Sequence, residues 1–302
     1  MATILEVSSI GLLCWPLLAV AENTEKITPE WLQALILGIV QGITEFLPIS
    51  STAHLLIVTK IFAWKELGYK DFVDAIQFGS VIAIVLYFWS LISSILKGGI
   101  AALKDRDWER EEWKIIVGIA VGTMPALIFG FLLKDILPES ALIIAIMSVL
   151  MALLLGLAEK IGTRKRGLDS LQIRDGILVG LGQTLALIPG VSRSGSTLTT
   201  ALFLGLERDT AAKFSFLLGF PTLTIATLYK SLKIFKLFQE QQLPGNIVFL
   251  LIVGIISTFI FSYLSIAFLI RYLQTKNTFV FVWYRLAFGS AILLAITAGW
   301  QG

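Results

Sequence analysis

Glu45, Ser51 and His54 lie within one otherwise apolar run, Q-G-I-T-E-F-L-P-I-S-S-T-A-H (41–54), and His54 is the only histidine in the chain. A carboxylate, a hydroxyl and an imidazole are the groups on which acid–base and nucleophilic catalysis draw. Gln41 and Glu45 are four residues apart and share one face of a helix. Pro48 removes an amide donor and ends that helix. Ser50, Ser51 and Thr52 are N-cap residue types for a second helix, whose open amides and positive dipole end make a natural anion site. Ser51 and His54, three apart, project together from its first turn. The set reads as catalytic, arranged about a phosphate-sized hole. Taken alone, His54 would read as a satisfied interior histidine; its spacing from Ser51 shifts the reading toward function.

A second run, P-G-V-S-R-S-G-S-T (189–197), has the same plan with different content. Pro189-Gly190 breaks a helix, and Ser192, Ser194, Ser196 and Thr197 supply hydroxyls. Gly195 lets backbone approach a ligand. Arg193 brings a fixed charge whose planar fork suits phosphate oxygens. Blander roles stand beside these. Glu45 and Arg193 could be a structural ion pair, and Ser50 and Ser196 read as caps only. Arg285, beside Tyr284, either lines the site or snorkels. Phe214, Phe216 and Phe220 face lipid or pack, and 104–114 reads as a solvated, mixed-charge connector.

The elements that must position these residues are membrane helices. Of 302 residues, 56% are hydrophobic and only 15% charged, with a mean hydropathy of +0.85. Soluble domains carry about 25% charged residues, so the chain is an all-α, polytopic integral membrane protein. A net charge of +3 gives no basis for nucleic-acid binding, and the lone Cys14 excludes an internal disulfide or a cysteine metal cluster. Residues 1–26 read as an N-terminal extension, either a signal peptide cut after Ala21 or a short anchoring helix. Broken, re-entrant segments are expected at 31–62 and 175–206. Each is followed by three spans, near 72–95, 114–134 and 138–158 and near 214–235, 246–270 and 277–300.

The halves 27–160 and 161–302 match at an offset of 142 residues: Gly38 with Gly180, Gln41 with Gln183, Ser50 with Ser192, Phe72 with Phe214, Phe78 with Phe220, Tyr87 with Tyr229. Three crossings per repeat invert the second copy, so the two breaks enter from opposite faces and meet near the midplane. Starting outside at Ile27 places fourteen Lys/Arg in the cytoplasmic segments 97–114, 159–174, 208–213 and 271–276. Eight fall outside, and Arg193 and Arg285 lie at membrane depth. The bias supports that orientation.

On these two motifs, with I-Q-F-G-S (76–80), F-S-F-L-L-G-F-P (214–221) and Y-R (284–285), the sequence resembles the undecaprenyl-diphosphate phosphatase, or bacitracin-resistance, family over residues 27–302. The resemblance implies hydrolysis of undecaprenyl diphosphate to the monophosphate carrier of peptidoglycan synthesis and inorganic phosphate. It also implies a divalent cation (Mg²⁺ or Ca²⁺) held at Glu45, and a bacterial inner-membrane site open to the extracytoplasmic side. The catalytic residues it implies are Glu45, Ser51, His54 and Arg193. Thr52, Ser192, Ser194 and Thr197 support them, and Gln41 and Arg285 join as substrate ligands. The family's first motif has Glu or Gln at this place; here it is Gln41, which has no carboxylate to use in catalysis, so that residue is given a binding role only. The partners are a polyprenyl diphosphate and membrane lipid, with a homo-oligomer an open option. Either Ser51 or His54 could attack phosphorus, and His54 or Glu45 could take the serine's proton. A lipid-phosphate transporter would share the anatomy; pure binding would not need the Ser51–His54 pair.

Overall fold

The computed structural model describes residues 28–62, 64, 69–133, 140–240 and 245–300. The expected signal-like or anchoring segment, 1–26, lies outside the described residues. Helix α1 (Glu30–Phe46) and α2 (Ser51–Ile61) flank the first break. Next come α3 (Tyr69–Ile76), α4 (Phe78–Tyr87), α5 (Trp89–Asp105), α6 (Glu111–Leu133) and α7 (Ala141–Ile161). Helices α8 (Ile173–Thr184) and α9 (Arg193–Phe203) flank the second break. They precede α10 (Arg208–Gln239), α11 (Ile247–Thr275) and α12 (Phe279–Thr297). Among the described residues, the only β-pairing is an isolated bridge between Arg166 and Leu206.

Among the described residues, five helices, α6, α7, α10, α11 and α12, are long and apolar enough to cross a membrane. The sixth expected span, 72–95, is not one straight helix. It is interrupted at Gln77, then turns by 68° at Phe88 into α5. The sequence around the turn is Tyr87-Phe88-Trp89, and the burial of Phe88 against Phe216 fixes the corner. Its counterpart by offset, α10, runs unbroken for 32 residues.

The long helices cross-pack. Helix α1 lies along α11, α8 along α6, and α7 along α12. The small residues at these contacts are what let the backbones approach. A Cβ on Gly42 would stand 2.7 Å from the Thr258 carbonyl oxygen and 2.8 Å from the Ser262 amide nitrogen. The largest apolar cluster joins Phe46, Phe88, Leu155, Leu198, Phe214 and Phe216, so the phenylalanines at 214 and 216 pack inward. A polar tie closes one end of the bundle. Buried Glu159 on α7 accepts from the Arg208 guanidinium (Nε, 2.9 Å) and from the Thr278 hydroxyl (2.9 Å). That joins the starts of α10 and α12 to the end of α7.

Overpacking of a close backbone contact costs about 1–3 kcal/mol. Gly42→Ala is therefore expected to lower the thermal midpoint in detergent. Gly245→Ala, where an added Cβ meets nothing within 4 Å, is expected to leave the midpoint unchanged.

Candidate functional site

Both helix breaks share an uncommon backbone feature. Ser50 and Ser192, the N-caps of α2 and α9, have φ of 77° and 74°. Non-glycine residues rarely adopt this left-handed region, at a cost of about 1–2 kcal/mol. It turns the chain sharply enough for a second helix to start inside the protein. Only Ser192 caps with its side chain, accepting from the Gly195 amide at 3.2 Å; Ser50 makes no such bond. Ser50 thus takes the cap position expected of it, but without a side-chain bond.

One guanidinium binds the two breaks together. Arg285 on α12 is 1% exposed and donates through Nη1 to the carbonyls of Pro48 and Val191, both at 3.0 Å. Nη2 donates to Gly190 at 2.7 Å, and Nε donates to Ser148 at 3.2 Å. A broken helix leaves carbonyls without intrahelical donors, and lipid offers none. Arg285 supplies them. Sequence reasoning placed Arg285 among the substrate ligands, but its donors are already committed to backbone. Ser194 adds a second tie, donating to the Leu47 carbonyl at 3.0 Å.

With the breaks so joined, the starts of α2 and α9 open on one cavity of about 190 Å³. Its lining includes Glu45, Ser51, Thr52, Ser192 and Arg193. Glu45 is the hub. Its Oε1 accepts from Arg193 Nη2 at 3.0 Å, and its Oε2 accepts from the Ser51 hydroxyl at 2.8 Å and from the Gln41 amide at 2.9 Å. The ion pair weighed from sequence therefore exists, and the same carboxylate also holds the serine. Arg193 Nη1 is buried with no hydrogen-bond partner among the described residues, as is Gln183 Oε1. Both lie against Gly219 on α10, where an added Cβ would overlap the guanidinium.

Other expected ligands stand behind the cavity. Gln41 is buried and spends its amide on Glu45. Thr197 donates to the Arg193 carbonyl at 2.8 Å, bonds Ser215, and so braces the α9 turn. His54 is also set apart from the cavity lining. Its Nδ1 meets the Ser50 carbonyl at 2.7 Å, and its Nε2 meets the Tyr284 hydroxyl at 2.6 Å. The carbonyl can only accept, so Nδ1 carries a proton. The ring stacks on Phe288, with centroids 4.3 Å apart. His54 thus faces α12, not Ser51. Residues that sequence reasoning missed complete the wall: Gln77, Thr222 and Lys230. Thr222 and Lys230 differ by eight, a helical spacing, but only the tertiary fold shows that this α10 face meets the breaks.

The arrangement can hold an anion between two helix N-termini and Arg193. It can also deprotonate one hydroxyl, that of Ser51. The description "Bacitracin resistance protein BacA" belongs to the family whose model matches residues 34–291. The chain is 54% identical over 271 residues to an undecaprenyl-diphosphatase of Thermosynechococcus vestitus, covering 89% of this chain and 97% of that one. It is 48% identical over 275 residues to one of Trichormus variabilis (89% and 84%), and 48% over 274 to one of Synechocystis (88% and 82%).

Arg285 and Arg193 are expected to respond differently to lysine. Arg285→Lys removes a fork that reaches several carbonyls, and leaving them unpaired costs about 1–3 kcal/mol each. It is expected to lower the melting temperature sharply. Arg193→Lys, beside a cavity, is expected to melt within a few degrees of wild type and yet lose activity.

Proposed function

The chain belongs to the bacitracin resistance protein family and acts as an undecaprenyl-diphosphatase; from that premise we propose that the cavity between the two breaks holds the diphosphate and that Ser51 attacks it. The observation that carries this is the bonding of Glu45, which accepts the Ser51 proton on one oxygen and the Arg193 guanidinium on the other. The Ser51 oxygen forms a bond to the terminal phosphorus. The bond from that phosphorus to the bridging oxygen breaks, and the lipid monophosphate leaves with the electron pair. The serine proton passes to Glu45, as general base. As Glu45 loses its charge, its hold on Arg193 weakens, and the guanidinium turns to the phosphoryl oxygens, with the amides that open α2 and α9. Glu45 passes that proton to the departing lipid phosphate, and a water molecule then gives it another and attacks the phosphoserine. The bond from phosphorus to the serine oxygen breaks, inorganic phosphate departs, and Glu45 returns its proton to the Ser51 oxygen.

His54 has a positioning role in this scheme. Its bond to the Ser50 carbonyl fixes the turn that presents Ser51, and Tyr284 holds the ring from the other side.

A divalent cation, Mg²⁺ or Ca²⁺, fits the donor set. A carboxylate offers about four lone-pair positions; Arg193, Ser51 and Gln41 occupy three of those on Glu45. One position remains, with the hydroxyls of Thr52 and Ser192 nearby in the lining. Mg²⁺ commonly binds through one or two carboxylates plus substrate phosphates. Among the described residues, no group of three His, Cys, Asp or Glu side chains forms a ready-made site. The cation would therefore enter with the diphosphate, and it would neutralise charge on the phosphate oxygens.

The chain is a multi-pass membrane protein, and the Lys/Arg bias supports a plasma-membrane orientation with the cavity open to the extracytoplasmic side. The packing of α1 on α11 and of α8 on α6 suits two inverted copies that exchange partners. A transporter is not favoured, since membership of this family brings hydrolysis with it.

Phosphate release from undecaprenyl diphosphate by detergent-solubilised protein tests the scheme, because transport is impossible there. Ser51→Ala and Glu45→Gln are expected to lower kcat by about 10³-fold or more, and His54→Ala by about tenfold. Chelator is expected to abolish release. A His54→Ala loss as deep as that of Ser51→Ala would make the histidine the reacting group.

A further inference from the structure

The cavity continues beyond the Glu45–Arg193 pair. Thr222, Ala226 and Lys230 in its lining recur at every fourth residue of α10, so they form one stripe along a helix face. Eight residues of α-helix cover about 12 Å. At the near end, Thr222 accepts from the Gln183 amide at 3.0 Å, one turn from Gly219, where Arg193 lies. At the far end stands Lys230, its side chain 40% exposed and ion-paired with Asp74 on α3. Gln77, at the joint of α3 and α4, lines the same wall and accepts from Thr227 at 3.5 Å. The cavity therefore has an arginine at one end and a lysine at the other.

The chemistry at Ser51 uses only the first of these cations. Its substrate carries two linked phosphates, and a single guanidinium held by Glu45 balances neither the charge nor the length of that group. We propose that Lys230 is the second phosphate contact: it binds the phosphate that remains on the lipid, while Arg193 binds the one that is transferred. This rests on the reading of the cavity as the diphosphate site. The flexible four-carbon stem of Lys230 lets the ammonium swing from the mouth toward Thr222, as a compact charge with three donors. Asp74 holds that ammonium at the mouth and competes with the substrate for it. The lysine also meets the charge that develops on the departing lipid phosphate, so it contributes to turnover as well as to affinity.

A purely structural Asp74–Lys230 pair would make different variants equivalent, and this separates the two roles. Initial rates on undecaprenyl diphosphate in detergent are to be compared for wild type, Lys230→Gln, Lys230→Arg and Asp74→Asn, each checked for an unchanged melting temperature. Lys230→Gln is expected to lower kcat/KM about tenfold. It is expected to weaken product inhibition by the lipid monophosphate by a similar factor, and to leave inhibition by inorganic phosphate unchanged. Lys230→Arg is expected to recover most of the loss, and Asp74→Asn to show none. Equal losses in Lys230→Gln and Asp74→Asn would overturn the assignment, as would a Lys230→Gln enzyme with wild-type kinetics. Wild-type release, read in the same assay, reports on the diphosphate site itself, so a failure there is told apart from a failure of the lysine.

Discussion

A helix broken inside a membrane exposes carbonyl oxygens that neither lipid nor the helix can satisfy. In this protein one side chain, Arg285, answers that constraint for both breaks at once. Its guanidinium reaches Pro48 in the first break and Gly190 and Val191 in the second. The same donors that satisfy the backbone thereby fix the distance between the two half-helix starts. Ser51, Thr52 and Arg193 owe their common cavity to that geometry. The usual partner of a buried arginine is a carboxylate, and here carbonyl dipoles take its place. Its charge is met by dipoles and, among the described residues, by no carboxylate, so behind an anion site it favours a negatively charged substrate.

The second charged element works in the opposite sense. Glu45 and Arg193 neutralise each other in a site where either alone would be costly. A buried pair of this kind gives little net stability against apolar residues, and its value here lies in what it can release. Proton transfer from Ser51 discharges Glu45, which frees Arg193 when the phosphoryl group needs it. Gln41 belongs to the same logic. Its amide donates to Glu45 and, being no base itself, leaves that carboxylate the single base of the pair.

Much of this was legible along the chain, because it depends on neighbours in sequence. Pro48 and Pro189 announce the breaks, the four-residue spacing of Gln41 and Glu45 gives their contact, and the apolar runs give the spans. What stayed hidden depends on partners far away. The positive φ of Ser50 and Ser192 follows from burial and cross-links rather than from residue type. His54, three residues after Ser51, shares roughly its side of α2, but Tyr284 and Phe288 on α12 draw the ring aside. Those aromatics, at 284 and 288, were a usable signal, since with Arg285 they mark the α12 face that meets α2. Arg285 showed as a charge at depth, but sequence could not show which oxygens it would meet. The bend at Phe88 was missed because 81–89 is apolar throughout, with no proline or glycine to mark a turn, and its sign is a distant partner, the packing of Phe88 on Phe216.

Everything in the proposed reaction turns on Ser51, activated by Glu45, taking the phosphoryl group. Rapid acid quenching after a single turnover with terminally radiolabelled undecaprenyl diphosphate, followed by mapping of labelled peptides, tests it most directly. An acid-stable label is expected on Ser51, absent from Ser51→Ala and reduced in Glu45→Gln. An acid-labile label on His54, or complete turnover with none on Ser51, would contradict it.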